Sequence, residues 1–250
     1  MKTTAIKTHR IDIHESLHAI LDRYVLSLAE NSIVVITSKI VSLCQGRVVP
    51  KPIEADAGFK EALIKQEADS VLKTSDNPYG VYLTLKNNIL IPSAGIDESN
   101  GDNVYILYPE AIQQVALLAW HQLREKHAIK NLGIIISDSH TTPLRRGVTG
   151  IALGWCGFQP LYSYVGKPDL YGHPLRVTQI NLLDALATAA VLVMGEGNEQ
   201  SPLALIEDAP KITFLDRKPS ADEEASISIP IEEDLYGPLL KGFFRACVCS

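Results

Sequence analysis

The sequence predicts a mixed α/β (α+β) fold. Helical and strand patterns alternate irregularly along the chain, and both hairpins and longer connections occur between the predicted strands. The chain has 250 residues, of which 46% are hydrophobic, and this is enough to build a large core without disulfides or structural metals. These observations predict one large domain or two small lobes.

In the first half, we predict a helix over 15–30, a strand at Ser32–Ser38, a helix over 58–73 and a hairpin of Val81–Leu85 with Ile89–Ile91. Apolar residues recur at helical spacing from Leu17 to Leu28. The strand is apolar on both faces, which is typical of a strand inside a sheet. Asn87 and Asn88 separate the two hairpin strands and tolerate the positive φ of a tight turn.

In the second half, we predict a Gly/Asp/Asn-rich loop at 95–103, a helix from Pro109 to His127, a strand at Leu132–Ile136, a helix at Val177–Met194, a strand at Leu203–Ile206 and a charged, flexible segment at Lys218–Ser228. Proline suits the first position of a helix, where its missing N–H costs nothing. The strand is followed at once by polar residues, Ser137–His140. Ligand sites of α/β sheets lie at such carboxyl ends.

Charge and composition exclude several classes of protein. The chain carries 23 Lys+Arg against 29 Asp+Glu, a net charge of −6, and lacks the basic runs that bind phosphate backbones, so we expect no nucleic-acid partner. Its longest apolar stretch, Leu182–Met194, is too short to span a membrane, and residues 1–12 do not resemble a secretion signal. We therefore expect a cytoplasmic protein without a membrane partner. The few, irregularly spaced cysteines predict free thiols: Cys44, Cys156, Cys247 and Cys249.

The common nucleotide and catalytic motifs are missing from the sequence. Gly166-Lys167 lacks the upstream glycine of a phosphate loop. Gly195-Glu196-Gly197 has two glycines of a dinucleotide fingerprint but follows a predicted helix rather than a strand. His-Glu-x-x-His, Cys-x-x-Cys and Gly-x-Ser-x-Gly are also absent.

Three acidic clusters remain, at Gly95–Asn100, Ser137–Ser139 and Met194–Ser201. Each follows an apolar element. Mg²⁺ prefers oxygen ligands and typically takes one or two carboxylates, with phosphate oxygens completing its shell, so separated acids suit a metal–nucleotide site. The same residue types also form ordinary turns and helix caps, and composition alone leaves both interpretations open.

Segments in and between these clusters resemble one known family. The matching segments, between about residues 30 and 208, are Thr37–Ser42 with Gln45–Arg47, Gly95–Asn100, Ser137–Ser139, Gly166–Thr178 and Val193–Gly195. Together they resemble the coenzyme F420-0:L-glutamate ligase family, whose members add γ-linked glutamates to a deazaflavin precursor. The resemblance implies a two-lobed mixed α/β fold, neither Rossmann nor ATP-grasp. It also implies one ligase-like domain over 1–250 with the site between its lobes, and a homodimer.

The resemblance also implies roles for particular residues. Metal ligands would be Asp97, Asp138, Ser139 and Glu196. Nucleotide contacts would be Ser38, Lys39, Asn100, Met194, Gly195, Glu196, Gly197, Asn198 and Ser201. The implied reaction uses GTP or ATP and two Mg²⁺ or Mn²⁺ ions to join L-glutamate to a cofactor carboxylate through an acyl phosphate. Asp97 and Asp138 would be catalytic. For Arg145 and Arg146 the residues themselves leave two interpretations open: a bidentate clamp on a carboxylate of glutamate or acceptor, which would make Arg145 catalytic, or a surface ion pair.

Two departures from the family pattern concern the substrates. Leu43 stands where the family has a lysine expected near the triphosphate, which weakens the case for GTP. His140–Arg145 replaces an aromatic-Gly-Arg-Pro-Trp-Arg stretch, so a phosphate-binding fork and a stacking ring are missing. Tetrahydrofolate is therefore a rival acceptor to the F420-0 precursor. A catalytically silent nucleotide- or cofactor-binding relative, or a plain phosphohydrolase, remains an alternative function.

Overall fold

The computed structural model describes residues 1–53, 57–72 and 80–244. The strands are β1 (Lys2–Ile6), β2 (Ser32–Thr37), β3 (Val48–Pro50), β4 (Ser70–Leu72), β5 (Leu83–Lys86), β6 (Ile89–Pro92), β7 (Val104–Ile106), β8 (Leu132–Thr141), β9 (Val148–Cys156), β10 (Leu161–Ser163), β11 (Gln179–Asn181) and β12 (Leu203–Glu207). The helices are α1 (Leu17–Tyr24), α2 (Ser38–Gln45), α3 (Ala57–Glu67), α4 (Ile112–His127), α5 (Leu182–Met194), α6 (Ala221–Ala225) and α7 (Gly237–Phe244).

A five-stranded sheet in the order β1-β12-β2-β8-β9 forms the centre of the molecule. Strands β2 and β8 are parallel, and the other three pairings are antiparallel. This mixed sheet, with helices on both faces, confirms the predicted mixed α/β fold. It also excludes a Rossmann domain, which requires a mostly parallel sheet. The sheet is covered on both faces. Val34 and Ile36 of β2 pack into one apolar cluster with α1, α2 and α4, while Ile33 and Val35 pack into another with α5.

Smaller sheets lie beside this core. Strands β4, β5 and β6 form one, and β3 pairs with β7 in another. The β5–β6 hairpin confirms the prediction, with both turn residues, Asn87 and Asn88, at positive φ. A third apolar cluster joins α3 to β7 through Leu63, Ile64 and Tyr105.

Four helices differ from the predicted bounds at their starts or ends. The helix predicted over 15–30 ends at Tyr24, where Lys126 and His127 from α4 bond the carbonyl of Val25. The helix predicted over 58–73 ends at Glu67, because residues 70–72 pair with β5. The helix expected from Pro109 begins at Ile112, because Ala111 has a left-handed φ of 47°.

The helix predicted at Val177–Met194 begins five residues late. Residues 179–181 pair with β10 instead, and the Asn181 side chain then caps α5 by accepting a bond from the Asp184 amide. The segment predicted to be flexible at Lys218–Ser228 contains α6. Its capping box joins Ser220 and Glu223, and Arg217 pairs with the same glutamate.

The strand predicted at Leu132–Ile136 continues to Thr141, so the polar residues Ser137–His140, expected to follow the strand, are part of it. After a register shift between Ile136 and Ser137, the polar residues pair with β9. A bulge of this kind re-aims side chains while the ladder continues, which is why the change to polar residues did not mark a strand end.

Within the described residues, no helix is long and apolar enough to cross a membrane. Cys44 and Cys156 are free thiols, as predicted. Cys247 and Cys249 lie outside the described residues.

Candidate active site

Three chain segments meet at one edge of the central sheet. Because β2 and β8 are parallel with Thr37 opposite Ser137, the next residues, Ser38 at the start of α2 and Asp138 within β8, lie side by side. The Ser38 hydroxyl bonds the Asp138 carboxylate. Antiparallel β12 begins at this same edge, where the Thr37 backbone amide donates to the carbonyl of Pro202 with an N···O distance of 3.0 Å. The loop before β12 therefore lies next to Asp138.

A fourth segment, the loop 95–103, reaches this edge from the smaller sheets. Asp97 forms a backbone bridge with Ile106 of β7, with N···O distances of 2.8 Å in both directions. The side-chain Nδ2 of Asn100 donates to the backbone carbonyl of Gly197 at 3.0 Å. This bond connects two of the three predicted acidic clusters, and β8 supplies the third.

The segments enclose a pocket of about 640 Å³. The predicted site residues that line it are Lys39, Asp97, Asn100, Asp138, Ser139, Met194, Gly195, Glu196, Gly197, Asn198 and Ser201. Ser38 is buried behind this lining and reaches it through its bond to Asp138. Most of the residues chosen from the sequence are thus gathered in one cavity, although they come from four separate parts of the chain.

Lys39 is the cation at the acidic end of the pocket. Its Nζ lies 2.8 Å from Oδ2 of Asp97 and 2.9 Å from Oγ of Ser99. The charge of Lys39 also acts on Asp138 and Glu196. One ammonium group thus contacts Asp97 and favours the charged forms of all three carboxylates.

Burial and the charge of Lys39 shift the pKa values of the three carboxylates in different directions. Burial raises the pKa of Asp138 to about 7, although bonds from the Ser139 amide and the Ser38 hydroxyl oppose the shift. Burial also raises the pKa of Glu196, with Lys39 opposing it. At Asp97, burial acts in the same direction, but Lys39 and the bonds from Ser99 outweigh it and hold the pKa below its ordinary value.

Helix α2 begins at the pocket. Thr37, Lys39, Ile40 and Leu43 line the cavity, and the cap residue Thr37 makes no side-chain bond to the first turn. The backbone N–H groups of a helix's first turn have no partner inside the helix, and they favour negative charge. This end of the pocket is therefore suited to phosphate oxygens.

The donor set suits hard divalent ions. In the described part of the chain, no group of three or more His, Cys, Asp or Glu side chains is close enough to form a complete metal cage. Mg²⁺ does not require such a cage, because one or two carboxylates with phosphate oxygens and waters complete its shell. Asp97, Asp138 and Glu196, linked electrostatically through Lys39, fit this kind of shared site.

Arg145 does not line the pocket. It lies in the exposed turn between β8 and β9, where its amide bonds the carbonyl of Thr142 at 3.2 Å, and Arg146 is exposed beside it. The role of Arg145 as a clamp for a substrate carboxylate stays a prediction. The same turn includes Leu144, the residue at the tryptophan position of the family, which is fully exposed.

The N-terminal segment Thr8–Ile13 forms a wall of the pocket that sequence analysis did not predict. The amide of Thr8 donates to the carbonyl of Gln200 at 2.8 Å, and the amide of His14 donates to that of Leu43 at 2.9 Å. These long-range bonds place the segment against the site. The sequence contains no motif there that would have indicated it.

Comparison with known proteins agrees with this geometry. The family model described as F420-0:Gamma-glutamyl ligase matches residues 2–208, which include every element that builds the pocket. The chain belongs to this family. Helices α6 and α7 lie beyond the matched region of the F420-0:gamma-glutamyl ligase family.

Individual members of the family are similar over most of their length. The coenzyme F420:L-glutamate ligase of Methanosarcina mazei is 30% identical over 223 residues, covering 82% of this chain and 86% of the relative. That of Methanopyrus kandleri is 31% identical, covering 71% and 75%. That of Methanocaldococcus jannaschii is 29% identical, covering 73% and 77%.

Proposed function

We propose that the protein is a nucleotide- and divalent-metal-dependent ligase that joins L-glutamate to a cofactor carboxylate through a γ-glutamyl amide bond. The observation that carries the proposal is the single pocket in which separated acids, a lysine and a helix N-terminus converge. The names of the relatives, coenzyme F420:L-glutamate ligase, support the same reaction class.

The proposed reaction proceeds in two steps. An acceptor carboxylate oxygen attacks the γ-phosphorus of the nucleotide, which forms an acyl phosphate and releases the nucleoside diphosphate. The amine of glutamate then attacks the acyl carbon, which forms the amide and releases phosphate with loss of a proton. The protein's part is to position the reactants and to stabilise charge.

The residues of the pocket have matching tasks in this scheme. Asp97, Asp138, Ser139 and Glu196 would hold two Mg²⁺ or Mn²⁺ ions, which supply electrostatic stabilisation of the phosphate oxygens when bound. Lys39 and Ser38, at the start of α2, would bind phosphate together with the helix amides. Asn100 and the loop Met194–Ser201 would hold the rest of the nucleotide.

The proposal includes two candidate nucleotides and two candidate acceptors. Leu43 lines the pocket without a charge, so GTP and ATP both remain in the proposal. The exposed turn at 142–147 has no Phe, Tyr or Trp, which supports tetrahydrofolate as a rival to the F420-0 precursor. Arg145, on this turn, would clamp a carboxylate of glutamate or acceptor.

A mass-resolved ligation assay tests the proposal. The protein is incubated with L-glutamate, Mg²⁺ or Mn²⁺ and GTP or ATP, with F420-0 in one arm and tetrahydrofolate monoglutamate in the other. We expect one acceptor to gain a glutamyl unit with matching phosphate release. Nucleotide binding without any mass change would favour the silent relative, and phosphate release without glutamate would favour a phosphohydrolase.

We also propose that the protein is a homodimer. An arm at 164–178 extends from β10 and β11 and exposes Leu170, Tyr171 and Val177 almost completely. Large apolar side chains grouped on a surface are typical of an interface. The arm contains the segment Gly166–Thr178, one of those that resemble the family, although it does not line the pocket. Contact with a second subunit would explain why the arm exposes large apolar side chains and why it resembles the family although it does not line the pocket.

A further inference from the structure

The pocket contains a second cationic side chain, Arg10, besides Lys39. Arg10 and Lys39 are the Lys and Arg side chains that line the cavity in the described part of the chain, against six acids. Nη2 of Arg10 lies 2.7 Å from Oδ2 of Asp102, and Asp12 is its other charged neighbour. The two cations therefore have different carboxylate partners, Asp97 for Lys39 and Asp102 for Arg10.

The chain just before Arg10 is held by hydrogen bonds, whereas the Arg10 side chain is largely exposed to solvent. The amide of Thr8 bonds the loop before β12, and the ring of His9 contacts Tyr24 and Glu15 through its two nitrogens. The Arg10 side chain itself is 70% exposed, and that of Asp102 is 69% exposed. Exposed ion pairs add little net stability, so another anion in the pocket can take the place of Asp102.

We propose that Arg10 binds an anionic group of a substrate in this pocket, a carboxylate or a phosphate, in exchange for Asp102. The inference rests on the proposed function, whose nucleotide and glutamate both carry such groups. A guanidinium held by one carboxylate presents the fork that a second carboxylate or a phosphate would use. Four of the six acids in the lining are not among the partners proposed for Arg10, and the proposed metal ions and Lys39 offset these, so Arg10 is the cation left for a further anionic group.

The test compares R10Q with D102N, because a binding role and a structural role predict different patterns. Titration calorimetry measures two probes, a non-hydrolysable nucleoside triphosphate with Mn²⁺ and L-glutamate in the presence of that complex. We expect R10Q to weaken binding of one probe by about tenfold, the loss of one charge-assisted contact. D102N frees Arg10 and should tighten binding of the same probe by about threefold. The probe affected identifies whether the anion is phosphate or carboxylate.

A matched control is K2Q, which breaks the exposed pair between Lys2 and Glu207 on β1, outside the pocket. K2Q should bind both probes like wild type. If the Arg10–Asp102 pair only anchors the N-terminal segment, R10Q and D102N will weaken binding alike, and this result would overturn the inference. Wild-type affinity in R10Q would overturn it too. If the wild-type protein binds neither probe, the proposed function fails and the inference fails with it.

Discussion

Asp97 and Glu98 are neighbouring acids in one loop with different surroundings. Asp97 faces the pocket and Lys39, whereas Glu98 pairs with Lys51 and Lys60 outside the pocket. We expect D97N to lower kcat/KM for ligation by about 100-fold or more, because a charge that stabilises the phosphate transfer is lost. E98Q should stay within about threefold of wild type. Equal losses in both variants, measured by product mass, would contradict the assignment of Asp97.

Asp138 links stability to pH in a direction unusual for a carboxylate. Its pKa is about 7 in the folded protein against an ordinary value of 3.8, so between these pH values the folded state binds more protons than the unfolded state. The free energy of unfolding therefore falls as pH rises through this window, by up to about 4 kcal/mol. The stabilisation that the protonated Asp138 gives the folded state is complete only below about pH 4.

The comparison of wild type with D138N isolates this effect, since asparagine does not titrate. In urea denaturation without divalent cations, we expect the two proteins to be similar near pH 4 and D138N to be the more stable above pH 7. The same variant should be inactive in ligation. A stability difference that does not change with pH would show that Asp138 titrates normally.

Among the elements, β9 and α5 pack with almost no space between their backbones. A Cβ placed on Gly150 of β9 would lie 2.4 Å from the carbonyl carbon and oxygen of Ala187 in α5. We expect G150A to lower the free energy of unfolding by about 3 kcal/mol, because backbone atoms cannot yield as a flexible side chain would. T149A, at the exposed neighbouring position, should change it by less than about 0.5 kcal/mol. Equal urea midpoints for both variants would contradict this packing.

Elements with a strong hydrophobic pattern were predictable from the sequence. Elements fixed by pairing with strands far away in the sequence were not. Strand β2 is apolar on both faces and lies inside the sheet as expected. In contrast, the polar stretch after Ile136 is held as a strand by pairing with β9, a partner that the sequence pattern did not reveal. Helix α5 begins late because residues 179–181 pair with β10. Tertiary pairing decided both outcomes.

The same distinction applies to the site. The acids at positions 97, 138 and 196 lie in separate clusters that the sequence made conspicuous, and the fold brings them to one pocket. Arg10 carries no comparable signal. It belongs to the pocket only because Thr8 and His14 bond segments far away in sequence. Short motifs therefore predicted the acidic end of the site and missed its N-terminal wall.

At the scale of the whole molecule, the arm at 164–178 predicts the oligomeric state. We expect the double variant L170S/Y171S to elute as a monomer in size-exclusion chromatography with light scattering, and wild type as a dimer, because two large apolar contacts are removed. L144S is a matched control, since Leu144 is just as exposed but lies on another loop. A monomeric wild type would contradict the homodimer.

The central claim is that the pocket supports ligation through an acyl phosphate. The most direct measurement supplies the accepted substrate with oxygen-18 in its reacting carboxylate and records the mass of the released phosphate. Attack of that carboxylate on the γ-phosphorus leaves one of its oxygens on phosphorus, so our account predicts one labelled oxygen per phosphate and a labelled amide carbonyl. Unlabelled phosphate alongside amide product would contradict the account.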